Sequence, residues 1–269
     1  MLERWFKYET GHAWCESAYK YQTLPMVAEF TNTITNLPIM ILPMINAMLL
    51  RKYIKNVNHK IFWPHLVLTI NGIASTYYHA TINLFGQLVD ELSLVWLLMV
   101  CIISYIPIMK CFPDKWHKYI PTICSFLGFF TIALSILCFI EPSLNAIALM
   151  LLSIPGCYVI YYEGKNSGIE EASRCVDRIF VFWGLAATFW VSDRLFCDLW
   201  LYIEAPYLHA VFHIFASWAG YTSFLMFSLI DIHKRSQEHG YIAKVKYIPP
   251  NYKGIFSVPY ITFIEGKIE

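Results

Sequence analysis

The sequence predicts an all-α, polytopic membrane protein: a seven-transmembrane helix bundle with a lumenal N-terminus and a cytosolic C-terminus. Three observations predict it. Apolar types make up 57% of the 269 residues and charged types only 14%, against roughly 25% charge in a soluble domain, and the mean hydropathy is +0.48. Seven apolar stretches reach or approach the about 20 residues that a helix needs to cross a bilayer core. Basic residues collect on alternate connections between those stretches, which fixes a direction. The runs are continuous rather than alternating, so helices are expected instead of a barrel.

Residues 1–26 are read as a lumenal segment. Their start, MLERWFKYETGH, is too charged and broken for a secretory signal. The first span is Val27–Leu50, followed by Arg51, Lys52, Lys55 and Lys60 on the cytosolic side. Ile61–His79 returns to the lumen, and the connection after it has no Lys or Arg. Gln87–Met109 leads to Lys110, Lys115 and Lys118. Tyr119–Phe139 and Leu144–Tyr162 form the next pair, again joined without a basic residue. Lys165, Arg174 and Arg178 precede the shortest span, Arg178–Ser192, extendable to Trp200. The connection beyond it holds only Arg194. Tyr207–Ile230 is the last span, so the membrane domain covers 27–232. Lys234 and Arg235 open a cytosolic tail, 233–269. Its GIFSVPYITFI is too short and proline-interrupted to span and is expected to lie on the bundle or the interface.

The net charge of +1, with no basic block and no glycine-rich phosphate loop, excludes nucleic acid as an expected partner. No protein partner is expected either. The chemistry gathers instead at one leaflet. Ser75 and His79 end the second span at the lumen. Asp90 and Glu91 sit in the first turns of the third. Asp193 ends the sixth, His209 and His213 open the seventh, and Glu29 opens the first.

Positions i and i+4 share a helix face, so His209 and His213 present two imidazoles to one point, and Ser75 pairs with His79. Three histidines from two helices suit Zn²⁺ and leave the fourth position open for water, the catalytic pattern. Asp90 is then placed to deprotonate that water, and Ser75 to hydrogen-bond it or a developing oxyanion. An isolated HxxxH also fits a hydrogen-bonded packing pair. Adding His79 and Asp90 on the same side tips the balance to metal, because unpaired polar groups at that depth are costly. Glu91 is expected to face elsewhere. Asp193 with Arg194 fits an interfacial ion pair as well as a catalytic role. His59, His65, His117, His233 and His239 fall on the cytosolic side.

The spacing of Ser75, His79, Asp90, His209 and His213 resembles the CREST superfamily of membrane hydrolases. WCES (14–17), VAEFTNTITNLP (27–38), VDELSLVW (89–96) and LHAVFHIFASWAGY (208–221) are similar to the alkaline ceramidases, a likeness running from about residue 13 to about 235. It implies a seven-span zinc amidase of the endoplasmic reticulum or Golgi. Such an enzyme takes ceramide from the bilayer and cuts its amide to sphingosine and a free fatty acid. His79, His209 and His213 would hold zinc, Asp90 would work on the water and Ser75 would assist. The alternative of another class is a seven-helix receptor, including one of the progestin- or adiponectin-receptor type. The segment VAEFTNT favours the ceramidases, and no D-R-Y or N-P-x-x-Y mark of the common receptors occurs.

The resemblance also implies an N-terminal calcium site with a D-W-x-E-x-N pattern, and here the chain departs from it. Ala13 and Ala18 replace the aspartate and the asparagine, and Glu29 lies two residues further from Trp14 than expected. The Trp14 carbonyl, Glu16 and Glu29 remain as calcium candidates. Calcium takes six to eight oxygens, so a weakened or lost site is expected. Topology puts Cys15 and Cys197 in the oxidising lumen, where a disulfide would tie the N-terminal segment to the loop after the sixth span; the resemblance implies the same bridge. Cys101, Cys124, Cys138 and Cys157 read as packing residues within spans, and Cys111 and Cys175 as reduced cytosolic thiols.

Overall fold

A computed structural model describes residues 3–7, 14–250 and 252–265. A single turn, α1 (Glu3–Phe6), precedes a 3₁₀ turn at Cys15–Tyr19. The first apolar run forms α2 (Phe30–Thr35) and α3 (Leu37–Leu49). They are two pieces because Pro38, in the first turn of α3, has no N–H to continue the ladder. After α4 (Arg51–Asn56) come α5 (Phe62–Thr81), α6 (Leu84–Tyr105), α7 (Ile120–Ile140), α8 (Leu144–Asn166) and α9 (Glu170–Leu195). A short α10 (Cys197–Tyr202) leads to the long α11 (Leu208–His239).

Among the described residues, six helical segments are long and apolar enough to cross a membrane: Phe30–Leu49, Leu84–Ile108, Asp114–Ile140, Ile147–Asn166, Glu170–Leu195 and Leu208–Ser236. Of the α11 segment 61% is buried, against 11% of that containing α7, so α11 is the hub of the bundle and α7 lies at its rim. Large apolar side chains such as Phe126, Phe129 and Ile140 on α7 and Ile154 on α8 face outward, as a lipid-facing surface requires. The helix α5 has 20 residues, a crossing length, but is more polar than the six. Its His65, Asn71, Ser75 and His79 are all buried.

Two elements differ from the sequence reading. The sixth span was expected at Arg178–Ser192, yet α9 runs from Glu170 to Leu195. Arg178 does not mark its end. It is buried, and its Nη2 donates to the carbonyls of Lys253 and Gly254 at 2.9 Å each and to Ser257 Oγ at 3.0 Å. A charge that looked like a boundary instead meets the tail through Nη2.

The tail itself is an antiparallel hairpin of β1 (Tyr241–Ile248) and β2 (Val258–Glu265), paired from Tyr241 with Glu265 to Ile248 with Val258. The all-α expectation therefore holds for the bundle but not for the tail. Ile261 enters the main core beside Tyr53 and Leu229, and Tyr221 donates to the Pro259 carbonyl at 2.7 Å. The Arg178 guanidinium also lies 4.8 Å from the centre of the Tyr247 ring. Burial, with the Glu171 carboxylate beside it, pushes the Tyr247 phenol up to about 12, so the phenol stays a donor to Glu171. Arg178→Leu is expected to leave these acceptors unpaired, at a cost of about 1–3 kcal/mol. Limited proteolysis should then cut within 249–257 under conditions that leave the unaltered chain intact, and the melting temperature should fall.

Further polar groups brace the same end of the bundle. Asp231, fully buried, accepts from Tyr53 Oη at 2.7 Å, Asn58 Nδ2 at 3.0 Å and Arg235 Nε at 3.1 Å. Glu163 accepts the backbone N–H groups of Lys110 and Cys111 at 2.9 and 2.7 Å. Cys175, expected in a cytosolic connection, is buried within α9 in the main core.

Candidate metal centre

The turn between α5 and α6 decides which side chains meet. α5 ends at Ile82, which takes a left-handed conformation with φ of 44°. Asn83 then caps α6, its Oδ1 accepting from Gly86 N at 2.7 Å. A Cβ at Gly86 would lie 2.9 Å from Tyr78 Cα, so only glycine lets the two helices turn this tightly. The N-terminal segment seals the same corner. The carbonyls of His79 and Ala80, left over at the end of α5, accept Glu29 N at 3.1 Å and Ala28 N at 2.9 Å.

This corner carries His79 up to the first turns of α11. The ring centres of His79, His209 and His213 are 5.0, 4.9 and 4.6 Å apart pairwise. One nitrogen of each lies within 4.8 Å of the others, and all three residues are buried. The rings are held from behind. His79 Nδ1 meets Glu29 Oε2 at 2.6 Å. His213 Nδ1 lies 3.1 Å from Thr35 Oγ1, and that hydroxyl donates to the Thr31 carbonyl at 2.8 Å. It therefore accepts from Nδ1, which leaves Nε2 of His213 bare. Nδ1 of His209 is buried without a hydrogen-bond partner. Buried imidazoles with carboxylate or hydroxyl partners behind them and bare nitrogens in front are what a zinc ion needs, so these residues fit that metal.

His209 is fixed by neighbours to which the sequence reading gave other roles. The Trp14 indole stacks on its ring, centre to centre 3.6 Å and 11° from parallel. Asp193 is buried; its Oδ1 accepts the His209 N–H at 3.3 Å and its Oδ2 the Cys15 N–H at 3.1 Å. It thus satisfies an orphan donor in the first turn of α11 and ties that turn to the N-terminal segment. The Arg194 guanidinium lies over the Trp14 ring, 4.4 Å from its centre. Cys15 and Cys197 bring their sulfurs to 2.22 Å, with Cα atoms 5.4 Å apart.

Asp90 projects from α6 toward the same place. Asn71 Nδ2 donates to its Oδ1 at 3.2 Å and to its carbonyl at 3.1 Å. Ser75 lies beside the carboxylate, and His79, one helical turn further along α5, is near enough to act on its charge. Glu91, on the next face of α6, accepts from Gln87 Nε2 at 3.1 Å.

The calcium candidates lie elsewhere in this network. Glu16 Oε1 and Oε2 accept the first amides of α2, Thr31 N at 2.5 Å and Asn32 N at 2.8 Å. Glu29 accepts from Ser17 Oγ, from Trp14 N at 3.4 Å and from Asn32 Nδ2 at 3.0 Å as well as facing His79. The Trp14 carbonyl accepts Ser17 N at 2.9 Å. Ala18 is exposed, and Ala13 lies outside the described residues. Two carboxylates already met by protein donors, and one carbonyl, do not make the six to eight oxygens that calcium takes; this donor set does not fit it. What the Glu29 carboxylate does face is the His79 ring. Glu29→Gln is expected to weaken zinc binding about 10–100-fold, read by competition with a chelator, with the helical content unchanged.

Comparison with known proteins places this arrangement in context. The model of the family described as Ceramidase matches residues 7–261. An alkaline ceramidase of Caenorhabditis elegans is 58% identical over 264 residues, 98% of this chain and 97% of that protein. An alkaline ceramidase of Drosophila melanogaster is 32% identical over 93% of this chain and 86% of its own length. Human alkaline ceramidase 1 is 30% identical over 91% of each.

Proposed function

This chain belongs to the ceramidase family of hydrolases, and on that premise we propose that it is a zinc-dependent amidase working within the membrane, cleaving the N-acyl bond of ceramide to sphingosine and a free fatty acid. The observation that carries the zinc reading is the convergence of His79, His209 and His213, from α5 and α11, on one buried point. A receptor of the progestin or adiponectin type would share such a core, but the matches fall on ceramidases over nearly the whole chain.

Zinc held by the three histidines would supply a water acidic enough to act near neutral pH and would polarise the amide carbonyl. The chain's own groups do the rest. Asp90 takes the proton of the attacking water on its carboxylate and passes it to the amide nitrogen as the carbon–nitrogen bond breaks. The water oxygen leaves in the fatty acid and the nitrogen leaves as the amine of the base. Asn71 holds Asp90 Oδ1 in place. Ser75 supports the carbonyl oxygen as negative charge builds on it. Glu29 and Thr35 keep the rings of His79 and His213 turned inward.

In this reading α5 is the seventh crossing, its polar side chains directed into the bundle rather than to lipid. The basic connections put the N-terminus and the metal centre on the lumenal side of the endoplasmic reticulum or Golgi membrane and the hairpin in the cytosol. Cys15 and Cys197 form a lumenal disulfide that pins the Trp14 segment over His209.

The test is product analysis on defined ceramides. Purified protein is expected to release sphingosine and fatty acid in equal amounts, to lose that activity on zinc chelation and to regain it when zinc is restored. Full turnover after complete removal of zinc would overturn the zinc reading while leaving the family assignment intact.

A further inference from the structure

Asn145, in the first turn of α8, is fully buried, and neither its Oδ1 nor its Nδ2 has a hydrogen-bond partner. An amide left so deep without partners is costly. It faces Glu91 of α6 without closing a hydrogen bond. Glu91 adjoins Asp90 in sequence and is braced by Gln87. Deeper between the same helices lies an apolar cavity of about 150 Å³, walled by Leu98, Ile102 and Tyr105 of α6, Leu152, Gly156 and Val159 of α8, and Phe224 of α11.

The cluster and the cavity belong to one seam. On α6, Gln87, Glu91, Leu98, Ile102 and Tyr105 recur at spacings of three, four and seven and so share a face; on α8, Asn145, Leu152, Gly156 and Val159 do the same. At 1.5 Å per residue the cavity walls on α6 begin about 12 Å beyond Asp90 and reach about 22 Å. That span brackets the about 15 Å depth of one leaflet's chains in a 30 Å core. The seam therefore has polar groups short of a partner at the level of the scissile amide, and apolar space one chain length below.

We propose that this seam holds the sphingoid base of ceramide, with Asn145 and Glu91 binding its hydroxyls and the cavity taking the end of its chain. The assignment rests on the ceramide-hydrolysis reading above. The chemistry selects the base over the acyl chain, because hydroxyl groups beside the amide occur on the base side of that bond. A hydroxyl there donates to Glu91 or to Asn145 Oδ1 and accepts from Asn145 Nδ2.

Two ceramide series test this, one varying the base chain at fixed acyl chain and one the reverse, together with an analogue lacking the 3-hydroxyl. A Cβ at Gly156 would lie 3.3 Å from Leu98 Cδ1, so Gly156→Leu intrudes on the cavity. It is expected to lower the ratio of kcat/KM for long over short bases about tenfold, with acyl preference unchanged. Asn145→Leu is expected to lower kcat/KM about tenfold or more for the hydroxylated substrate and to leave the 3-deoxy analogue within about twofold, with zinc content kept. A shift in acyl preference, or an equal loss on all substrates, overturns the assignment. A measurement without substitution guards against misfolded variants. A ceramide with a diazirine at the end of its base chain should label the unaltered protein within 144–166, and one with the diazirine at the acyl end should not; the reverse pattern overturns the proposal. If the unaltered protein cleaves no ceramide of either series, the hydrolase reading falls; if it cleaves them and the acyl end maps to the seam, only the subsite falls.

Discussion

Replacing His79, His209 or His213 singly with alanine is expected to remove bound zinc and ceramide hydrolysis together. The three rings come from two helices and meet only because the tight turn at Ile82 and Gly86 swings the end of α5 against α11. Two remaining imidazoles hold zinc far less tightly than three, and a neutral water without the metal is a poor nucleophile near pH 7. Turnover should fall on the order of a thousandfold or more. Metal analysis of the purified variants by mass spectrometry, beside product release, checks both halves. Each ring is buried, so thermal melting must accompany the assay. A variant that melts near the unaltered chain yet lacks zinc and activity is the expected result. One that keeps both would remove that histidine from the metal set.

Asp90→Asn is expected to separate what the histidine variants join. Asparagine keeps the size of the side chain and an oxygen for Asn71 to address, so the fold and the metal content should persist. It cannot take a proton from water at working pH. Turnover should therefore fall about 10²–10⁴-fold, the usual worth of a positioned general base, while zinc stays bound. Loss of the metal as well would make Asp90 part of the ligand set rather than the proton carrier.

Much of this site was legible in the sequence because helical spacing is a strong geometric constraint. His209 and His213 share a face at i and i+4, Ser75 and His79 likewise, and alternating basic connections put both pairs at one end of the bundle. The contacts that support them were not legible. Thr35 meets His213 across 178 positions, and Asp193 reaches Cys15 across as many; nothing in local spacing marks such contacts. Glu29 drew attention as a calcium candidate, yet its carboxylate faces His79. An acid at a span entrance has the same sequence signature in either role.

The tail packs on the bundle as expected, but its hairpin was missed, for another reason. YIAKVKYI carries the period-two burial of a strand, with Ala243, Val245 and Tyr247 turned inward and Lys244 and Lys246 outward. Its partner strand lies beyond a nine-residue connection, 249–257, too long to be read as a two-residue hairpin turn. Arg178 misled in the same way, since an arginine beside Asp177 at the edge of an apolar run reads as a membrane boundary until the loop that meets its Nη2 is known.

The most direct measurement is the zinc content of purified, fully active protein, followed through removal and restoration of the metal. The account predicts about one zinc per chain, activity proportional to occupancy, and no zinc in His79→Ala. Full activity in material that holds no zinc, or an undiminished zinc content in His79→Ala, would contradict it.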